Sequence, residues 1–266
     1  MFAKNFVIWL FSLALFAFIG IAYGYELPYP LNNNYGVTQG NNTGTHTGIE
    51  AWAYDFGIGV NQSIVATEAG TVFSREQDSA RFGCNVAFGN DGNYVVIDHG
   101  NGQRSLYLHL QQNSVAVRVG DQVAKGQQLG TVGNSGWICG NPGTHLHYQL
   151  QNVCPSKWYC QSVSTIFAPR LLSPVQGTKA NSRTVNFQWE SISGATVYRI
   201  VISQRADFAG YSDISRSCDG TCFTATTLQA NYNKLLNNGN YKYYVRVRSS
   251  NNAVASTFSN SYFYTP

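Results

Sequence analysis

The sequence predicts an all-β fold, and three observations carry that prediction. From about His46 to Val153 the chain breaks into short apolar or alternating runs separated by turn residues. Near the other end, Tyr241-Lys242-Tyr243-Tyr244-Val245-Arg246-Val247-Arg248 alternates at period two, as a half-exposed strand does. Composition agrees: 26 Gly and 17 Tyr, with charged residues at only 11% and a single Met, is the balance of a strand-rich extracytoplasmic chain. The 266 residues suffice for two modest domains, each with a core of its own.

The first element is an export segment over residues 1–24. Lys4 precedes an apolar run from Phe6 to about Tyr23, which closes on Ala22-Tyr23-Gly24, a small-x-small pattern of the kind signal peptidases cut. The run is nearly long enough to cross a bilayer, so an uncleaved anchor is the competing reading. With the signal removed, no stable membrane insertion is expected, and the chain is expected to be secreted or periplasmic. The formal net charge is +4, and removing residues 1–24 takes Lys4 alone among charges; the mild positive balance that is left favours an anionic polymer such as a cell wall and is too small to imply nucleic acid.

A lead-in over residues 25–43 is rich in Asn, Gly and Pro and reads as irregular. Strands are expected at Ser63–Ala66, Gly70–Phe73, Tyr94–Ile97 and Leu106–Leu110, then around Gln122–Ala124 and Gln128–Gly133, with tight hairpins between them. These belong to a first domain over residues 44–168. A second, over residues 169–266, has strands at Phe187-Gln188-Trp189, Ala195–Ile202 and Tyr241–Arg248. Its early Trp and Tyr-rich late strand fit an immunoglobulin-like β-sandwich. Trp189 and Tyr243-Tyr244-Val245-Arg246-Val247-Arg248 resemble features of a fibronectin type III domain.

All six cysteines follow the export segment, and an even count in an exported chain argues for disulfides. Six cysteines allow fifteen pairings. Close spacing favours Cys154 with Cys160 and Cys218 with Cys222, leaving Cys84 for Cys139. A cysteine zinc site is disfavoured, because no pair of C-x-x-C units exists.

The candidate chemistry lies in the five histidines. His145 and His147 sit two residues apart in a stretch that reads as a strand, which puts both on one face and Leu146 on the other. His109 follows Tyr107 and is expected on that residue's face, away from Leu106, Leu108 and Leu110. Asp55 between Tyr54 and Phe56 needs a partner if buried, since an unpaired buried carboxylate is costly. His46 stands in a Thr/Gly loop. His99 closes a strand before an Asn/Gly turn and is expected to be structural. Trp52, Trp137 and Tyr148 are candidates either for a groove wall or for ordinary packing.

An ordered series of motifs gives these residues a family. Ala53-Tyr54-Asp55-Phe56, Ala66-Thr67-Glu68-Ala69-Gly70-Thr71-Val72, Asn93–Gly100, Leu106-Tyr107-Leu108-His109-Leu110, Gly120-Asp121-Gln122-Val123, Gly126-Gln127, Gly133-Asn134-Ser135-Gly136 and His145-Leu146-His147 together resemble the lysostaphin-type zinc endopeptidases. The resemblance covers about residues 44–153. It implies a Gly-rich β-sheet fold of the duplicated-hybrid-motif type, a bacterial cell-envelope location, one zinc ion per chain and peptidoglycan peptides as substrate, in a monomer. It also implies His46, Asp55 and His147 as zinc ligands, with His109 and His145 as the pair that activates water and stabilises the oxyanion. In many members the first His and the acid are four residues apart. Here His46 and Asp55 are nine apart and Glu50 takes the shorter spacing, so Glu50 is the alternative ligand to the preferred Asp55. A non-catalytic cell-wall-binding or hydrolase-regulating protein of the same fold is the alternative function.

Overall fold

The computed structural model describes residues 25–31, 33–140, 143–180, 185–190, 192, 195–208, 212–213, 216–217, 227–231, 239–250, 256 and 259–266. The expected signal peptide and the Cys218–Cys222 pair lie outside the described residues. Strands and two single 3-10 turns, Gly48–Glu50 and Val86–Phe88, make up the regular structure described, so the all-β expectation holds.

Eleven strands fall before residue 153: β1 Val37–Gln39, β2 Tyr54–Phe56, β3 Ser63–Val65, β4 Gly70–Glu76, β5 Phe82–Gly83, β6 Tyr94–Asp98, β7 Gln103–Leu108, β8 Gln122–Val123, β9 Gln128–Thr131, β10 Gly136–Trp137 and β11 Leu146–Asn152. Seven of them form one antiparallel sheet in the order β1-β2-β11-β7-β6-β4-β8. Its register sorts every side chain to one of two faces. Tyr54 pairs with Tyr148 and Tyr148 with Tyr107, and these rings enter the main core with Phe56, Leu146 and Ile97. Asp55 pairs with His147 and His147 with Leu108, so the acid and the histidine share the opposite face.

Two expectations change here. The lead-in is not merely irregular: Tyr25, Leu27 and Tyr29 are buried in the core, and β1 forms the sheet edge beside β2. Tyr148 is fully buried on the core face, so it cannot line a groove on the His147 side. Strand alternation forces this, because adjacent residues point to opposite faces.

Two small ribbons, β3 with β9 and β5 with β10, complete this part. The Cys84–Cys139 disulfide, the pair left over by the preferred assignment, staples the β5/β10 ribbon, and Cys154–Cys160 closes the chain after β11, as its close spacing suggested.

The remaining strands are β12 Leu171–Ser173, β13 Asn186–Glu190, β14 Val197–Ser203, β15 Ser212–Asp213, β16 Arg216–Ser217, β17 Thr227–Asn231, β18 Lys242–Ser250 and β19 Ser259–Tyr264. They form two sheets, β12-β13-β17 and β15-β14-β18-β19 with β16 also on β14. Trp189 is fully buried against Tyr198, and on β18 Tyr243, Val245 and Val247 point inward while the residues between them are half-exposed. The two parts meet in buried contacts. Arg170 binds Glu190 through Nε at 2.7 Å and donates from Nη1 to the Tyr29 carbonyl at 2.6 Å, and Ser249 Oγ donates to the Phe167 carbonyl at 2.7 Å.

Candidate metal centre

Three donors from distant points of the chain meet on the sheet face opposite the main core. Asp55 comes from β2, His147 from β11, and His46 from the loop that leaves β1. His46 Nε2 lies 3.2 Å and His147 Nδ1 3.0 Å from the same atom, Asp55 Oδ1. One ligand atom from each of the three lies within 4.8 Å of the others, and all three residues are buried. Two donors bound tetrahedrally at about 2.0–2.1 Å to one zinc ion stand about 3.3–3.4 Å apart, so two imidazoles and a carboxylate spaced in this way fit such a cation.

Backbone carbonyls set the protonation of the other histidines. Nδ1–H donates to the Gly40 carbonyl in His46 (3.0 Å), to the Ser135 carbonyl in His109 (2.8 Å) and to the Gly143 carbonyl in His145 (2.7 Å). A carbonyl only accepts, so in each neutral ring the proton is on Nδ1 and Nε2 carries the lone pair; in His46 that nitrogen faces Asp55 Oδ1 at 3.2 Å, and donates to it when the ring is protonated. His147 differs: its Nδ1 faces Asp55, and its Nε2 is buried without a hydrogen-bond partner.

Electrostatics follow from burial and this clustering. Burial alone would raise the Asp55 carboxyl, but hydrogen bonds from His147 and His46 and the nearby imidazoles hold it well below the usual carboxylate range. Burial pushes the His46 imidazole down, and the Asp55 hydrogen bond and charge more than offset that, leaving it above its ordinary value. The His109 ring is lowered to about 3, first by burial and then by the neighbouring His145 and His147. His145 is also lowered, chiefly by burial, against the attraction of Asp55. An ionised Asp55 thus stands beside His109 and His145, whose protonated forms burial disfavours.

All five residues singled out in the sequence converge. His145 Nε2 lies 3.6 Å from Asp55 Oδ2, and the His109 ring is 4.7 Å from the His145 ring. His145 sits one residue before β11, yet it shares the His147 face as expected. His109 arrives by a route alternation did not indicate. It has left β7 and carries a left-handed φ of 69°; the Tyr107 face, where it was expected, is the core face. The unusual backbone swings its ring to the His147 side. Glu50, the alternative ligand, lies in the Gly48–Glu50 turn and is not part of the cluster. His99 lies in the sheet interior between the Ala69 carbonyl and Ser105 Oγ, as a structural residue would. Trp52 and Trp137 are 37% and 42% exposed and so remain free to contact a ligand.

Residues the sequence did not single out hold this arrangement. Buried Asn93 donates from its backbone N–H to Ser135 Oγ (2.8 Å) and from Nδ2 to the Leu110 carbonyl (3.2 Å), while Ser135 Oγ donates to the same carbonyl (2.8 Å). His109 is thus gripped on both sides. Gly136, at a φ of 86°, brings Ser135 close, since a Cβ there would stand 2.8 Å from Gly92 Cα. Tyr159 lies nearly parallel to His147, ring centroids 6.3 Å apart. In the sequence, only the Gly133-Asn134-Ser135-Gly136 pattern hinted at a tight turn there.

Residues 44–159 match the model of peptidase family M23. Residues 44–159 are thus the M23-like part of the chain. Over 59 residues, 22% of this chain and 13% of the relative, the sequence is 48% identical to peptidoglycan DD-endopeptidase ShyA of Vibrio cholerae. Over 192 residues, 72% of this chain and 44% of the relative, it is 27% identical to glycyl-glycine endopeptidase ALE-1 of Staphylococcus capitis. A solved structure of the antimicrobial peptidase lysostaphin from Staphylococcus simulans aligns over 90% of this chain and 98% of that one, at 15% identity and a TM-score of 0.38. The chain spans about an eighth of the length of the first relatives it matches (13% each). Every residue of the His46–Asp55–His147 cluster, with His109 and His145, lies inside the M23 match.

Proposed function

We propose that residues 44–168 are a zinc metalloendopeptidase domain that hydrolyses peptide bonds in peptidoglycan stems or cross-bridges. On this reading residues 25–43 are a lead-in, residues 169–266 a fibronectin type III-like domain, and the chain a monomer exported to a bacterial cell envelope or beyond. The observation that carries the proposal is the convergence of three ligand atoms beside two neutral imidazoles whose free nitrogens are Nε2. The two disulfides and the wall peptidases among its relatives support export and the substrate class.

His46 Nε2, Asp55 Oδ1 and His147 Nδ1 would hold the zinc. When bound, zinc supplies a Lewis acid that makes water more acidic and polarises the carbonyl under attack. The protein provides proton handling and position. His145 and His109 are kept neutral by burial, so at neutral pH each keeps an Nε2 lone pair able to accept a hydrogen bond from water. Asp55 Oδ2, 3.6 Å away, favours His145 as the ring that holds the proton. An imidazolium formed there is a donor, able to hydrogen-bond a developing oxyanion and then to return its proton to the leaving amine. Ser135 and Gly143 keep both rings from rotating during the exchange.

The test uses the purified chain with its disulfides formed. One zinc per chain is expected, with new amino termini appearing in purified walls of defined cross-link chemistry. His147→Ala is expected to lose both metal and turnover, measured by elemental mass spectrometry and by peptide release. A zinc-loaded, folded chain inert on every wall tested overturns the enzyme reading in favour of a wall-binding or regulatory protein.

A further inference from the structure

The strand face that carries His147 also carries Gln149 and Gln151, both fully buried. Their amides fasten the loop closed by Cys154–Cys160 onto the sheet. Gln149 Nε2 donates to Gln151 Oε1 at 2.7 Å and to the Cys160 carbonyl at 2.8 Å. Gln151 Nε2 donates to the Trp158 carbonyl at 2.7 Å, and its oxygen also accepts from the Cys160 N–H at 2.9 Å. The orientation of the Gln149 amide is therefore determined, because its nitrogen faces two acceptors. Its oxygen is left buried with no partner, and so is His147 Nε2, two residues away on the same face.

The two orphans are complementary in one tautomer only. While His147 Nδ1–H donates to Asp55, the neutral ring carries a lone pair on Nε2, to which an amide oxygen cannot bond. When Nδ1 gives its lone pair to a cation, the neutral ring must carry its proton on Nε2. A buried N–H without an acceptor is then costly, and ligating histidines ordinarily pass that proton to a carboxylate, a carbonyl or water.

We infer that Gln149 is a positioning residue for His147: its Oε1 accepts the Nε2–H of the metal-bound ring, directly or across one bridging water, and keeps Nδ1 aimed at the cation. The inference rests on the proposed ligand role of His147. The disulfide-closed loop serves it in two ways. Cys160 stops the amide from turning its oxygen away, and Tyr159 bounds the imidazole on its flat side.

Zinc affinity, measured by chelator competition on the oxidised full chain, is the main readout. Gln149→Met is expected to weaken zinc binding about 10- to 100-fold. Gln151→Met, which removes bonds to the loop but leaves the Gln149 oxygen and the Cys160 carbonyl that orients its amide, is expected to weaken zinc binding by clearly less than Gln149→Met. In the zinc-loaded wild type, nitrogen-15 NMR is expected to show a slowly exchanging His147 Nε2–H. The inference is overturned if that proton exchanges freely, if folded Gln149→Met binds zinc as tightly as the wild type, or if Gln151→Met loses as much as Gln149→Met. The NMR readout needs no variant, so a Gln149→Met chain that fails to fold leaves a decisive test. A wild-type chain that binds no zinc overturns the ligand reading as well, whereas a zinc-binding wild type with an unaffected Gln149→Met variant overturns this inference alone.

Discussion

The seven-stranded sheet and the C-terminal pair of sheets use the same strand period for opposite ends. On β18 the inward positions are Tyr243, Val245 and Val247, and the outward ones are half-exposed Lys242, Tyr244, Arg246 and Arg248. On β11 both faces are buried from Leu146 to Gln151, one apolar and one polar. Burial of His147, Gln149 and Gln151 is tolerable only because Asp55 and the Cys154–Cys160 loop satisfy most of their polar atoms. The apolar face needs only close packing, whereas the polar face must find a hydrogen-bond partner for each group it buries.

Variants that strike one region and spare the other test that contrast. The largest effect is expected from His145→Ala, which removes a proposed proton carrier and none of the proposed ligands. Turnover should fall by about 10²- to 10⁴-fold with zinc content unchanged. Equal turnover, or loss of zinc, would contradict the assigned role. Next comes Trp189→Ala in the apolar region. Deleting this fully buried ring should cost about 3–5 kcal/mol in denaturant unfolding, with zinc stoichiometry unaltered. A loss of zinc in that variant would show that the two regions are energetically one.

The smallest effect concerns pH and His99, which touches none of the proposed ligands. Burial lowers its pKa below the ordinary value near 6.5, so the unfolded chain takes up the proton first. Its contribution to stability is complete above about pH 6.5 and is lost as the pH falls below that. Unfolding midpoints of the zinc-loaded protein should thus drop on acidification, and His99→Gln should flatten the drop. An unchanged slope in that variant would assign the acid sensitivity elsewhere.

Much of this was readable before folding, and for identifiable reasons. The spacing of His145 and His147, the exposed logic of a carboxylate between two aromatics at Asp55, and the close cysteine pair at Cys154 and Cys160 are local patterns, each constrained within a few residues. The β18 alternation is of the same kind. Tyr148 looked like a neighbour of the site, and it instead turns its ring to the core, because adjacency along a strand means opposite faces. His109 escaped the period-two argument altogether, since its left-handed φ breaks the alternation on which that argument depends.

The sequence by itself therefore determined the strand pattern, the cysteine partners within the described residues, and the identity of the five polar residues that form the centre. Only the tertiary structure decided which face each one occupies, that Asp55 rather than Glu50 stands between His46 and His147, and that Asn93, Ser135, Gln149 and Tyr159 surround the cluster. The physical reason is that residue type and spacing are properties of a short stretch, whereas a common centre depends on the register between β2, β7 and β11 and on loops folded back over them.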